Sequence, residues 1–208
     1  MNETRAEPSA AALTALKRGE VIVFPTETLY GLGADALNFA AVEKVFQLKD
    51  REPNNPIPVL IDSREMLQML AADVPQLAEQ LIAVFWPGPL TIVLPARKNI
   101  PRPLVNTRGG VGVRLSSEPI ATALVRALGR PLTATSANPS GQAPARTVEE
   151  AKNYFAGQIA IFIDGGELTS RTASSVVEII GDQLKIIRAG EVSREQLETA
   201  LGAGRVIT

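Results

Sequence analysis

The tightest constraint on what this chain can fold into is its punctuation. Short apolar runs alternate with amphipathic stretches, and proline or glycine closes most of them. Residues 21–24 form an apolar strand stopped by Pro25, and residues 57–61, 90–94, 111–115, 131–134, 159–163, 175–179 and 184–187 read as further strands. Pro58 inside 57–61 assigns that strand to an edge or a bulge. Helices are expected over 10–17, with Ser9 as N-cap and Gly19 past its end, and over 40–48, with Val42, Val45 and Phe46 on one face. Further helices are expected over 63–70, over 75–85 with Leu77, Leu81, Ile82 and Phe85 as a stripe, and over 119–128 before Gly129. Thr147 to Glu150 and Ser193 to Gln196 read as capping boxes that open two more. Trp86-Pro87-Gly88-Pro89 forces a turn. With no repeats and no low-complexity linker, the expectation is one α/β domain over 9–208 with a twisted mixed β-sheet flanked by helices, behind a polar tail at 1–8.

The 208 residues include no His and no Cys. Disulfides, thiolate zinc sites, iron–sulfur ligands and cysteine nucleophiles are therefore excluded. So are His general bases and the Ser-His-Asp and Cys-His triads. Chemistry must come from carboxylates, Lys, Arg, hydroxyls, backbone amides or a cation held through oxygen. Lys plus Arg is 21 and Asp plus Glu is 22, a net charge of −1, which disfavours bulk electrostatic binding to nucleic acid or membrane but allows a local basic patch. No apolar run is long enough to span a bilayer, and the first ten residues carry no signal-peptide core, so the cytoplasm is the expected compartment.

Four polar stretches could carry chemistry. Pro25-Thr26-Glu27-Thr28-Leu29-Tyr30-Gly31-Leu32-Gly33-Ala34 leaves a strand with hydroxyls, a carboxylate, a phenol and glycines, which suits a binding floor or a simple β-turn. Gly31 to Ala36 matches G-x-G-x-x-A, but a hexapeptide separates the glycines from the strand, which argues against a dinucleotide fingerprint. Lys49-Asp50-Arg51 at a helix end, before a Pro/Asn-rich loop, is either a macrodipole complement or a phosphate clamp. Thr133 to Gly141 is a hydroxyl- and Asn-rich strand exit, able to serve a polar ligand or to form an Asx turn. Arg114, Ser174-Ser175 and Arg188 lie at other strand ends, where open α/β sheets bind ligands. There is no Walker motif, and aromatics at 4% are weak for a single-strand stacking platform.

Taken together and in this order, these stretches resemble the threonylcarbamoyl-AMP synthase family and its YrdC-like domain. The matching segments are VIVFPTETLYGLGADA, LKDREPNNPIPVLI, WPGPLTIVL, VGVR, TATSANPSG with the later Thr147, SSVVEI and IIRAGEVS, spanning about residues 17–193. The length matches the short form, without the extra C-terminal domain of longer members. The resemblance implies a YrdC-like domain with a concave ligand groove and a reaction in which L-threonine and bicarbonate (or carbon dioxide) give a carbamate. The carbamate attacks the α-phosphorus of ATP, giving threonylcarbamoyl-AMP and pyrophosphate, and downstream tRNA-modifying proteins take the group to an adenosine of tRNA. Direct tRNA or RNA binding is a further implied property. ATP is a substrate here, Mg2+ accompanies it, and no dedicated protein metal site is expected.

By position, the resemblance places Thr28, Arg114, Ala134 and Ser174 at L-threonine. It places Lys49, Arg51, Asn55, Gly110, Ser136, Asn138, Pro144 and Arg188 at ATP, with Lys49 and Arg51 as the catalytic pair. Gly110 and Ala134 fall where some members have Thr. The residue chemistry agrees: Arg114 can pair with a carboxylate, Thr28 and Ser174 can fix polar groups, and the cations can offset triphosphate charge. Leu60 stands where many members have His beside the threonine site, Ser175 where Thr is common, and Pro58 where an aliphatic residue is usual. Pro53, Pro56 and Pro58 mark a lid candidate. The rival readings are a paralogue acting on another amine or carbamoyl substrate, and a double-stranded RNA or tRNA-binding module whose affinity would fall steeply with salt.

Overall fold

The apolar runs pair into two mixed sheets rather than one. A computed structural model of the protein describes residues 9–52, 55–202 and 204–207, so the expected tail at 1–8 lies outside it. Its strands are β1 (Ile22–Phe24), β2 (Gly31–Gly33), β3 (Val59–Ile61), β4 (Leu90–Pro95), β5 (Gly110–Leu115), β6 (Leu132–Thr133), β7 (Thr135–Ser136), β8 (Ile161–Phe162), β9 (Ser175–Ile180), β10 (Gln183–Arg188) and β11 (Val206–Ile207). Its helices are α1 (Ala10–Lys17), α2 (Phe39–Lys49), α3 (Arg64–Leu67), α4 (Gln76–Phe85), α5 (Pro119–Leu128), α6 (Val148–Phe155) and α7 (Arg194–Leu201).

The larger sheet runs β11-β10-β9-β4-β5-β3-β6 and the smaller runs β7-β2-β1-β8. Both mix directions: β4 is parallel to β9 and antiparallel to β5, and β1 is antiparallel to β2 and parallel to β8. The chain crosses from one sheet to the other at Ala134, between β6 and β7. There Thr133 N donates to Ala34 O at 2.9 Å and Ala134 N donates to Pro58 O at 2.9 Å. The Thr133 hydroxyl takes the Ala34 amide and donates to Leu32 O. Helices bury their apolar stripes on the sheets, as with Ala121, Leu124, Val125 and Leu128 of α5, and one continuous core runs under both sheets.

Several expectations need correction. Pro58 neither marks an edge nor distorts a strand: β3 starts after it and lies between β5 and β6, both hydrogen-bonded to it. The helix expected over 63–70 is only α3, started by the Ser63 side chain accepting from Met66 N. Thr147 caps the Glu150 amide, but the Glu150 carboxylate accepts from Arg146 N, so the box is half made; the Ser193–Gln196 box is complete. Gly31–Gly33, within the stretch read as a binding floor or a β-turn, is strand β2, and its glycines admit the Phe24 ring, which a Cβ at Gly33 would meet at 2.8 Å. That close approach accounts for the glycines without any nucleotide. The strand β11 had no periodic signal in so short a run.

Candidate active site

Where the two sheets meet, a cavity of about 580 Å³ opens, and four arginines line it: Arg108, which is paired with Glu178, and Arg51, Arg114 and Arg188. Each reaches it from a different element, so the position of each has its own local cause.

Arg114 ends the apolar run of β5 and its side chain is almost wholly buried. Its Nη1 donates to the Thr28 hydroxyl at 3.3 Å and lies 3.8 Å from Glu27 Oε1. Thr28 is set by the turn after β1. The Thr26 hydroxyl accepts from the amides of Thr28 and Leu29, donates to Leu29 O at 2.7 Å, and lies 3.0 Å from Thr28 Oγ1. This is a Ser/Thr-type turn that aims the second hydroxyl inward. Burial pushes the Arg114 pKa down from the usual arginine value, and the Glu27 charge opposes that.

Arg188 ends β10, where the register slips between Ile186 and Arg188. Its Nε and Nη2 both donate to Ser174 O, at 3.1 and 2.8 Å, and Nη2 also reaches Ser174 Oγ at 3.1 Å. The Ser174 hydroxyl lies 3.0 Å from Thr91 Oγ1 on β4. Burial lowers the Arg188 pKa, followed by the charges of Arg114 and Arg51. Guanidinium groups do not deprotonate in proteins, so Arg51, Arg114 and Arg188 stay charged around this space beside the Arg108–Glu178 pair. Their mutual repulsion is what an anionic ligand relieves.

Arg51 follows α2, whose C-cap, Asp50, adopts a left-handed conformation with φ 49°. The turn sends sequence neighbours in different directions. Arg51 donates from Nε to Asn55 O at 2.7 Å and from Nη2 to Asn55 Oδ1 at 2.8 Å on the cavity wall. Burial lowers its pKa. Lys49 instead turns inward, off the cavity wall. Its Nζ donates to Ser136 O and Asn138 O, both at 2.6 Å, with Asn138 Oδ1 at 3.4 Å. Three oxygens favour the ammonium, but burial first and the Arg51 charge second push it down to about 7.

Nine of the site residues named from sequence line the cavity: Thr28, Arg51, Asn55, Gly110, Arg114, Ala134, Ser136, Ser174 and Arg188. Lys49, Asn138 and Pro144 do not. Asn138 is buried and shapes its own loop through Nδ2 bonds to Pro139 O and Gln142 O. Leu60 is fully buried as the cross-strand partner of Arg114 and lies beneath the lining rather than in it. Gly110 has no room for a threonine: a Cβ would meet Val93 Cγ1 at 2.5 Å and Asn106 Nδ2 at 3.2 Å. Pro53, part of the lid expectation, lies outside the described residues.

Sequence reasoning missed Thr91, Asn106, Arg108 and Glu178, which also line the cavity. Glu178 accepts from Asn106 Nδ2 at 2.9 Å and Arg108 Nε at 3.1 Å, and pairs with Arg108 Nη2. Asn106 Oδ1 takes the amides of Arg108 and Gly110, so this network fixes one wall. The available signal was a polar residue inside an apolar strand, Thr91 in LTIVL and Glu178 in SVVEII. Among the described residues no group of three or more Asp, Glu, His or Cys could hold a metal ion, and no helix is long and apolar enough to cross a membrane.

Comparison with known proteins identifies the family. The chain is 38% identical to the threonylcarbamoyl-AMP synthase of Pyrococcus abyssi over 191 residues, 92% of this chain and 56% of that protein. It is 38% identical to the Bacillus subtilis threonylcarbamoyl-AMP synthase over 195 residues, again 56% of that protein. It therefore spans about half the length of these curated relatives. The structure of P. abyssi Sua5 complexed with L-threonine superposes with a TM-score of 0.90 at 37% identity, over 95% of this chain and 58% of that one. Escherichia coli YciO superposes at 0.81 with 28% identity, over 90% and 91% of the two chains. The Sua5/YciO/YrdC family model, described as "Telomere recombination", matches residues 14–190, and the chain belongs to that family.

Proposed function

We propose that this chain is an L-threonylcarbamoyladenylate synthase, a nucleotidyltransferase that makes threonylcarbamoyl-AMP and pyrophosphate from L-threonine, bicarbonate or carbon dioxide, and ATP. The observation that carries the reading is the convergence of Arg51, Arg114 and Arg188 on one cavity that also holds the hydroxyls of Thr28 and Ser174. Relatives that bear this activity in their names, and a solved relative complexed with L-threonine, support it.

Arg114, deep in the cavity, takes the carboxylate of L-threonine as a fork, and Thr28 and Ser174 fix its polar groups. The threonine nitrogen forms a bond to carbon dioxide, its proton passes to water, and a carbamate results. A carbamate oxygen then bonds to the α-phosphorus of ATP while the bond from that phosphorus to the bridging oxygen breaks. Pyrophosphate leaves with the bonding electrons. Arg51 and Arg188 line the part of the cavity where the triphosphate charge develops, and Asn55 and Ser136 add polar contacts. Mg2+ arrives on the triphosphate as part of the substrate. The carbamate is the nucleophile, so the protein supplies position and charge and forms no covalent intermediate. Lys49 acts at one remove, holding the Ser136–Asn138 loop by its carbonyls.

The product passes to proteins that modify tRNA adenosine, and the reaction belongs in the cytoplasm, where ATP, threonine and tRNA meet. The test is pyrophosphate release by purified protein with ATP and Mg2+ in degassed buffer, omitting L-threonine or bicarbonate in turn and replacing threonine by serine or glycine. Release that requires both threonine and bicarbonate is expected. Release with another amine would correct the substrate. No release under any condition, with RNA binding that weakens as salt rises, would overturn the reading.

A further inference from the structure

Glu27 is the one described residue with a buried side-chain oxygen that has no hydrogen-bond partner. The atom is Oε1, and it lies 3.8 Å from Arg114 Nη1, too far for a hydrogen bond and near enough for charge to act. The other oxygen is occupied, since Oε2 accepts from the Ser116 hydroxyl, which in turn accepts from Glu118 N at 3.2 Å. The carboxylate is thus tethered beside Arg114 without closing on it.

Arg114 stands in unusual company. It is buried, its side-chain hydrogen bond among the described residues goes to the Thr28 hydroxyl, and Arg188 and Arg51 share its cavity. A buried guanidinium facing other guanidiniums needs an anion nearby to stay where it is. A bidentate pair would supply that anion but would also consume the fork. Glu178, the carboxylate that lines the cavity, is already bound to Arg108 and Asn106.

We propose that Glu27 is a positioning residue, a tethered counterion that holds Arg114 in place while leaving its N–H fork free for a substrate carboxylate. Ser116 is the tether: by fixing Oε2 it keeps the pair loose. The hold on Arg114 stands on geometry alone. Its consequence for L-threonine rests on the function proposed above.

Two measurements separate these. In 15N-labelled protein, with the Arg114 signal assigned by its loss in Arg114→Lys, the Arg114 Nε–H of the wild type exchanges slowly with water. In Glu27→Gln it is expected to exchange at least about tenfold faster, because a neutral amide no longer balances the buried cation. Should Glu27→Gln fail to fold, Glu27→Asp, with its carboxylate drawn back by a methylene, is expected to exchange faster than wild type as well. A wild-type rate in whichever variant folds overturns the proposal. In steady-state pyrophosphate release, Glu27→Gln is expected to raise KM for L-threonine about tenfold and leave KM for ATP within about twofold. Equal rises in both KM values would make Glu27 a merely structural residue and overturn it. A wild type that uses no threonine would sink the synthase reading, while the exchange comparison would still decide whether Glu27 holds Arg114.

Discussion

Arg188 binds the backbone oxygen of Ser174 through two N–H groups, at 3.1 and 2.8 Å, and reaches its hydroxyl at 3.1 Å. The end of β10 is thereby fastened to the start of β9 at the level of a single residue. Because Arg188 also faces the cavity, one side chain ties the region assigned to the triphosphate to the hydroxyl assigned to threonine.

Arg188→Ala should therefore damage both substrates at once. Turnover is expected to fall by about 10²–10³ with KM raised for L-threonine as well as ATP. Arg188→Lys should rescue little, since an ammonium cannot reproduce the two-pronged hold on Ser174. Pyrophosphate release at varied concentrations of each substrate reads the result, with circular dichroism to establish folding. A rise in KM for ATP alone would separate the two regions.

Lys49 should matter for stability as well as activity. Lys49→Met leaves the oxygens of Ser136 and Asn138 without their buried donor and should cost about 2–4 kcal/mol in urea unfolding. Its pH dependence has a definite sign. With the folded pKa near 7 and the unfolded lysine at 10.5, the unfolded chain holds more protons between those values. The Lys49 contribution therefore rises with pH through that window and is lost as pH falls through about 7. Wild-type stability should climb relative to Lys49→Met between pH 7 and pH 9; parallel curves would refute the shifted lysine.

Gly190 lies against the backbone that carries Ser174. A Cβ there would collide with Ala173 O, approach Ser175 N to 2.5 Å and Ser174 C to 2.6 Å, all of them backbone atoms that cannot swing away. Gly190→Ala should destabilise the protein by about 1–3 kcal/mol. It should also raise KM for L-threonine more than KM for ATP, because Ser174 is displaced first. Thermal unfolding and the two KM values measure this, and unchanged threonine kinetics would show that the strand ends yield elsewhere.

Asn55 holds the Arg51 fork with a side-chain and a backbone oxygen. Asn55→Ala removes one of the two, so KM for ATP is expected to rise about fivefold to twentyfold, the scale of one charge-assisted hydrogen bond. Arg51→Ala should cost far more. Equal losses in the two variants would mean that the contact of Asn55 with the nucleotide outweighs its hold on Arg51.

The chain's local chemistry determined a great deal on its own. Apolar runs cut by Pro and Gly fixed β1, β4, β5, β9 and β10 to within a residue or two, Gly129 and Ser193 set helix ends, and the absence of His and Cys confined the chemistry to cations, hydroxyls and carboxylates. Periodicity and capping act over a few residues and can be read without neighbours. Tertiary structure alone decided that residues 132–133 and 135–136 join different sheets, because pairing partners are chosen by distant strands. It also decided that Pro58 precedes an interior strand, and that Lys49 and Arg51, two positions apart, part company at a left-handed Asp50, one gripping a loop and the other facing the cavity. The places of Thr91 and Glu178 in the cavity wall and the tethering of Glu27 were decided by the fold, which sets which polar groups are buried and against what. Burial is a property of the assembled core, where charge and hydrogen bonding cost most when left unbalanced.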